Sequence, residues 1–209
     1  MRKRSFPILL YIFGTLALIL AGIIIANPLD GEPRSDLLQF FGRFHPTVLH
    51  LPIAFILLLA ALEARVFLKP SSSLSPAIPL VLSLSIVSVL VAVFTGFLLA
   101  YASGSNEALV IEHMRMSIFL AIGTLALGSL KLFWEKSIAK NTYRVLLFVN
   151  LGLLASSSHD GGSLTHGRDY LTKFMPDAIR PIFGLNVEAK SNAQSVGDLV
   201  LYKDLVQPI

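Results

Sequence analysis

The hydrophobic positions of this chain fall into long runs that are separated by short polar segments. A membrane-spanning helix needs about 20 predominantly apolar residues, and five runs reach or approach that length. The fifth has the shortest apolar part, "YRVLLFVNLGLLASSSH", and a polar segment from 160 to 209 follows it. The pattern therefore predicts an all-α membrane protein with five transmembrane helices, at 7–26, 46–67, 76–101, 113–133 and 143–159.

Composition supports a membrane protein rather than a water-soluble enzyme. The chain has 209 residues, of which 54% are hydrophobic and 14% charged, whereas soluble domains carry about a quarter charged residues. Its mean hydropathy is +0.71. There is no cysteine, so the chain itself supplies no disulfide, no thiolate metal site and no covalent haem attachment. The expected partner is the lipid bilayer, and no nucleic-acid partner is expected.

The first run predicts an anchor that stays on the protein. It follows the basic residues Arg2, Lys3 and Arg4, as a signal peptide would, but its apolar stretch exceeds the usual h-region of about 7–15 residues and no A-x-A site follows. We therefore expect an anchor helix and linker over 1–40, a four-helix bundle over 41–170 and a short tail over 171–209.

Lysine and arginine positions predict the orientation in the membrane. They concentrate at the N-terminal tip, between the second and third runs, and after the fourth run. Cytoplasmic loops of membrane proteins carry the excess of basic residues. The chain is accordingly expected in a bacterial inner membrane, with its N-terminus in the cytoplasm and its C-terminus in the periplasm.

All five histidines then lie at the periplasmic ends of the predicted helices. Two of them, His45 and His50, occur in "FHPTVLHLPIAF" at the start of the second helix. A five-residue step turns a helix by roughly 140°, so this pair does not chelate one small ion, and one ring can enter the bundle while the other stays at its edge. We expect His50 to enter and to face His113, with His45 at the edge. The histidines are His45, His50, His113, His159 and His166.

The glycines after the fifth helix predict a chain reversal. Asp160-Gly161-Gly162 is typical of a tight turn, because glycine tolerates the positive φ angles that such turns need. A short interfacial helix, "SLTHGRDYLTKF", is then expected to fold His166 back over the bundle.

A haem b held without covalent bonds fits this cluster. Membrane haem sites are built from histidines on facing helices, and we predict His50 and His113 as the axial ligands. His166 is the next candidate, and His45 and His159 are expected to support the site or to belong to a second haem. Arginines lie close to three of the histidines and suit haem propionates in bidentate geometry. They are Arg43, Arg115 and Arg168.

Two alternatives remain open at the level of sequence. One is a copper or zinc ion, since imidazole binds both metals, with the thioethers of Met114 and Met116 for Cu(I) or the carboxylates of Asp160 and Glu112. The other is no cofactor at all, with each histidine capping a helix end or bonding to loop carbonyls.

The histidine motifs also resemble a known family. "HPTVLHLPIAF", the distant His113 and "GGSLTHG" are similar to motifs of the bacterial membrane family called domain of unknown function 2231. The matching positions are His45, Pro46, His50 and Pro52 in the first motif, with Leu51 in place of an aromatic residue, and Gly161, Gly162, Leu164, His166 and Gly167 in the last. The resemblance covers about 41–170 and implies an architecture like that of two-haem membrane cytochromes.

The end of the chain suggests a partner. "LVLYKDLVQPI" resembles the segment that leads into a planctomycete-type cytochrome c domain. The predicted function is a membrane-anchored electron-transfer module that exchanges electrons with a periplasmic c-type cytochrome or a larger membrane complex, rather than a stand-alone enzyme. The alternative is a non-redox anchor or assembly subunit of an envelope complex.

Overall fold

The protein is helical throughout the part that the structure describes. This computed structural model describes residues 5–26, 28–133, 137–168, 170 and 172–183, and those residues include no β-strand. The helices are α1 (Ser5–Ala26), α2 (Asp36–Gly42), α3 (His45–Val48), α4 (His50–Leu68), α5 (Ile78–Ser103), α6 (Ala108–Leu132) and α7 (Ser137–His166), with short 3-10 turns at Ser75–Ala77 and Arg180–Phe183.

Four helical segments are long and apolar enough to cross a membrane, which suggests a multi-pass membrane protein. They are Ile8–Ala26, Asp36–Leu68, Ser75–Ser103 and Ala108–Leu132. The first four predicted runs are thus confirmed as apolar helices. The fifth forms a helix too, α7, but it is not among the four. Its 30 residues mix a central apolar stretch with polar residues such as Asn150 and the serines 156–158.

The second segment is broken where the sequence predicted a single helix start. Pro46 lies in the first turn of α3, where its missing N–H costs no hydrogen bond, and α4 begins separately at His50. Before them, α2 lies against α5 at Gly42. A Cβ on Gly42 would lie 2.6 Å from the backbone of Leu99, so only glycine permits this approach.

Helix α5 is the centre of the bundle, because it contacts α2, α3, α4 and α6. It ends at Gly104, whose φ of 69° is a left-handed conformation that glycine adopts without strain. The chain then reverses into α6. Helix α1 packs against α6, with Phe13 over Gly128, so the anchor helix belongs to the same packed unit as the bundle.

The predicted reversal at Asp160-Gly161-Gly162 is wrong. Helix α7 continues through these residues to His166, and the positive φ of 90° occurs later, at Gly167. The helical hydrogen bonds simply continue through the two glycines. Compact units divide the chain into Met1–Gly161 and Gly162–Ile209. The "LVLYKDLVQPI" segment lies outside the described residues.

Candidate functional site

His45 enters the bundle from the start of α3. Its ring lies against α5, where Nδ1 is 3.0 Å from the carbonyl oxygen of Ala92 and 3.5 Å from Thr95 Oγ1. A Cβ on Gly96 would lie 2.9 Å from the His45 ring. The ring is therefore half-buried in a recess that exists because residue 96 has no side chain.

His113 sits in an equivalent recess between α6 and α7. Its Nδ1 is 3.0 Å from the carbonyl oxygen of Ser157, and a Cβ on Gly161 would lie 3.1 Å from its Cε1. Gly161 thus serves close packing on His113 rather than the turn that its sequence context predicted.

The two rings face each other across the interior. Their centroids are 6.2 Å apart and their planes are inclined at 69°. A carbonyl oxygen only accepts hydrogen bonds, so each Nδ1 carries the hydrogen and each neutral ring keeps its lone pair on Nε2. Two imidazoles on opposite sides of one metal ion, with bonds of about 2.0 Å, have ring centres about 6 Å apart. The spacing suits such a bridge.

The pair lies a short way inside one end of the bundle. Gly96 is seven residues before the end of α5, and His113 is five residues after the start of α6. At 1.5 Å per residue these positions lie about 10 Å and 8 Å from the helix ends. Both rings are therefore only two turns or less from that end.

The expected partner of His113 is wrong. His45 faces it, whereas His50 begins α4 as an exposed residue. His45 is half-buried and His50 is exposed, so the two histidines have different surroundings. Which of them points inward is set by the packing of α3 on Ala92 and Gly96 of α5, and the sequence of the motif does not contain that information.

The other predicted residues do not join the pair. His159 is exposed on α7, and His166 is exposed in its last turn, where its ring stacks on Tyr170 at 4.5 Å. All three arginines are exposed, and two of them flank the pair in sequence, Arg43 before His45 and Arg115 after His113. Their expected roles stay predictions.

The side chains around the pair bear on which cofactors it could hold. Within the described residues no group of three or more histidine, cysteine, aspartate or glutamate side chains is arranged to hold a metal ion. Of the two methionines considered as copper ligands, Met114 and Met116, Met114 is buried in the hydrophobic core. A copper or zinc ion draws most of its ligands from the protein, whereas a haem supplies four nitrogens itself and needs two axial ligands from the protein.

A second polar cluster lies toward the opposite ends of α4 and α6. Lys131 Nζ is 3.1 Å from Glu63 Oε1, and these side chains are only 19% and 10% exposed. The same ammonium lies 5.0 Å from the ring centre of Tyr143 on α7, which is wholly buried. This cluster was not predicted from the sequence, although Glu63 and Lys131 are charged residues within apolar helices.

Comparison with family models, curated proteins and solved structures finds no match to this chain. The resemblance to domain of unknown function 2231 therefore stays a prediction.

Proposed function

We propose that this protein is an integral membrane b-type cytochrome module in which His45 and His113 are the axial ligands of one haem. The observation that carries the proposal is the facing pair, 6.2 Å between ring centres. Each Nδ1 is engaged by a backbone carbonyl, so both free Nε2 atoms are the natural ligand atoms.

The bonds behind the two rings prepare them as ligands. A hydrogen bond from Nδ1–H to a carbonyl fixes the tautomer, orients the ring and raises the basicity of Nε2. Ala92 does this for His45 and Ser157 for His113. When bound, the haem iron supplies a one-electron couple, whose potential depends on the axial ligands and on burial.

Glycines and arginines have separate tasks in this proposal. Gly96 and Gly161 leave room for the two rings. Arg43 and Arg115 are exposed near the pair, and we assign them to the haem propionates because guanidinium groups pair with carboxylates in bidentate geometry. Each lies two residues from a ligand histidine, near the end of the bundle where propionates reach water.

The membrane arrangement completes the proposal. Helix α7 is the fifth crossing, beside the four apolar segments, with Val145, Phe148 and Val149 exposed on its outer face as lipid contact requires. Basic residues then place the histidine end on the periplasmic side of a bacterial inner membrane. From there the module exchanges electrons with a c-type cytochrome.

An absorption spectrum of the full chain, purified in detergent from haem-replete cells, tests this function. Reduction with dithionite is expected to produce the sharp α band of a six-coordinate b-type haem. His45→Ala and His113→Ala are each expected to abolish it, because one axial ligand is lost. His50→Ala and His159→Ala are matched controls that remove an exposed imidazole from the same end and should keep the band.

The controls distinguish the pairing from its rivals. If His50→Ala abolishes the band and His45→Ala keeps it, His50 and not His45 is the ligand. A colourless preparation contradicts the cytochrome assignment and leaves the non-redox anchor. Metal analysis of the same sample then tests copper and zinc.

A further inference from the structure

The interface between α6 and α7 contains polar contacts at a regular spacing. Ser117 Oγ is 2.8 Å from Ser157 Oγ, Asn150 Nδ2 donates to Thr124 Oγ1 at 3.0 Å, and Lys131 lies over Tyr143. On each helix the polar members are seven residues apart, running in opposite directions. This seven-residue spacing is the one that heptad repeats have in coiled coils.

Leucines occupy the levels between the polar contacts. The register set by those contacts brings Leu120 level with Leu154 and Leu127 level with Leu147, and all four are buried in the core. Polar and leucine layers therefore alternate along the interface.

The middle polar layer has the most restrictive geometry. Thr124 donates its hydroxyl hydrogen to the carbonyl of Leu120 at 2.8 Å, so it can only accept from Asn150 Nδ2. This orients the amide, and Asn150 Oδ1 then lies where a Cβ of Gly123 would be. Both polar residues are wholly buried, and no group in the described part of the chain donates a hydrogen bond to that oxygen.

An alternative register would break this layer in three ways. Sliding α7 by one turn, so that Leu127 comes level with Leu151, moves the Asn150 amide from Thr124 to the level of Gly128, leaves its hydrogens without the threonine hydroxyl as acceptor, and brings its oxygen toward Leu127, which has a side chain where Gly123 has none. Burying an unpaired amide is costly, and a single buried asparagine specifies register in coiled coils.

We propose that Thr124, Gly123 and Asn150 form a register lock that holds the Ser157 carbonyl behind His113. Asn150 and Ser157 are seven residues apart on one helix, about 10 Å, so the lock acts through the helix and not by contact with the ring. Asn150 is thus a positioning residue. The link to haem rests on the proposed function; the lock itself does not.

Disulfide cross-linking measures the register directly, because the chain has no cysteine of its own. One reporter carries Leu127→Cys with Leu147→Cys, which are level in this register. The other carries Leu127→Cys with Leu151→Cys, which become level after a slide of one turn. A disulfide needs Cα atoms within about 7 Å, and one turn is about 5 Å along the axis, so the yield ratio reports register.

Asn150→Leu and Gly123→Ala are each expected to lower the ratio of native to slid cross-links about fivefold, the change that one net hydrogen bond makes in an equilibrium constant. The exchanged pair Thr124→Asn with Asn150→Thr rebuilds a polar layer and should recover at least part of the ratio. Leu154→Ala damages an adjacent layer without touching the lock, and Gly152→Ala adds a methyl where no atom lies within 4 Å. Both should leave the ratio unchanged.

An unchanged ratio in both Asn150→Leu and Gly123→Ala overturns the lock, as does an equal loss in Leu154→Ala, which would indicate packing alone. If Asn150→Leu fails to accumulate in the membrane, Gly123→Ala and the exchanged pair decide. The reduction potential of each variant is the second readout. It is expected to change in the variants that lower the cross-link ratio and to stay unchanged in the two controls. A colourless protein whose register still slides refutes the haem while supporting the lock.

Discussion

The two ends of the bundle bury polar groups in opposite ways. Near one end, two neutral imidazoles are held by backbone carbonyls and keep their Nε2 atoms free. Toward the other, Glu63 and Lys131 satisfy each other beside Tyr143. A self-satisfied ion pair is weak evidence for chemistry, whereas two neighbouring imidazoles whose Nε2 lone pairs are unused have the donor atoms that a metal or haem iron needs. A buried polar group can therefore be structural or functional, and an unused nitrogen lone pair favours the functional interpretation.

The largest expected effect comes from breaking the ion pair. Lys131→Met leaves the Glu63 carboxylate buried without its partner, which typically costs 3–5 kcal/mol, about the largest single-site loss expected here. The free energy of unfolding, followed by denaturant titration in detergent, should fall by roughly that amount, while the haem band of the folded fraction stays in place.

The double variant Glu63→Leu with Lys131→Met sharpens this test. Replacing both members of a buried pair by apolar side chains is often neutral or stabilising, so most of the lost stability should return. A loss of the haem band in Lys131→Met protein that remains folded would contradict the separation between the two ends.

A smaller effect is expected from filling the recess behind His45. Gly96→Ala places a methyl group within 2.9 Å of the ring, so ring or helix must shift, at a cost of about 1–3 kcal/mol. Haem content per folded chain should fall, measured as the ratio of Soret to protein absorbance.

Two other glycines calibrate that result. Gly161→Ala meets His113 at 3.1 Å and should reduce haem content less. Gly152→Ala meets nothing within 4 Å and should not reduce it. Equal losses at all three positions would show that haem content follows general helix packing instead of the two recesses.

The smallest effect belongs to a polar contact in the α1–α2 connection. The backbone N–H of Glu32 and the guanidinium of Arg34 donate to Asp30, and they lower the pKa of that carboxyl below its ordinary value of 3.8. The pKa of Asp30 is lower in the folded protein than in the unfolded chain. The stabilisation is therefore fully present above the ordinary value of 3.8 and is lost as the pH falls through the folded pKa.

Thermal unfolding of the wild type and Asp30→Asn between pH 3 and 6 checks this sign. The wild type should be slightly more stable at pH 6, and the difference should shrink toward pH 3. A difference that grows on acidification would contradict the assignment. Asp30 is exposed, so water screens the interaction and the effect stays well below that of the buried pair.

Much of the fold could be predicted from the sequence because apolar runs are a one-dimensional signal. The predicted runs match α1 and α5 to within two residues at each end, whereas α7 begins six residues before and ends seven residues after its predicted run. The motif indicated that His45 and His50 have different surroundings. The sequence motif does not show which of the two rings points inward, because that depends on how α3 packs against Gly96 and Ala92. The orientation of α3 and its rotation about its own axis are set by tertiary packing.

The role of Gly161 shows a different limit. A glycine pair after a helix is a turn signal, yet the same residue also permits close packing, and only the partner, His113, decides between the two. The register lock was readable in principle. Polar residues recur every seventh position at Ser117, Thr124 and Lys131, and again at Tyr143, Asn150 and Ser157.

The shallow position of the histidine pair has an electrical consequence. It lies about 8–10 Å inside one end of helices that cross a hydrocarbon layer of about 30 Å. In the proposed topology an electron that arrives from the near side therefore traverses roughly a third of the membrane field. At 100 mV a full crossing is worth about 2.3 kcal/mol per charge, so this step is worth about 0.8. Under the proposed function, electron exchange on this side is thus expected to be only weakly sensitive to the membrane potential.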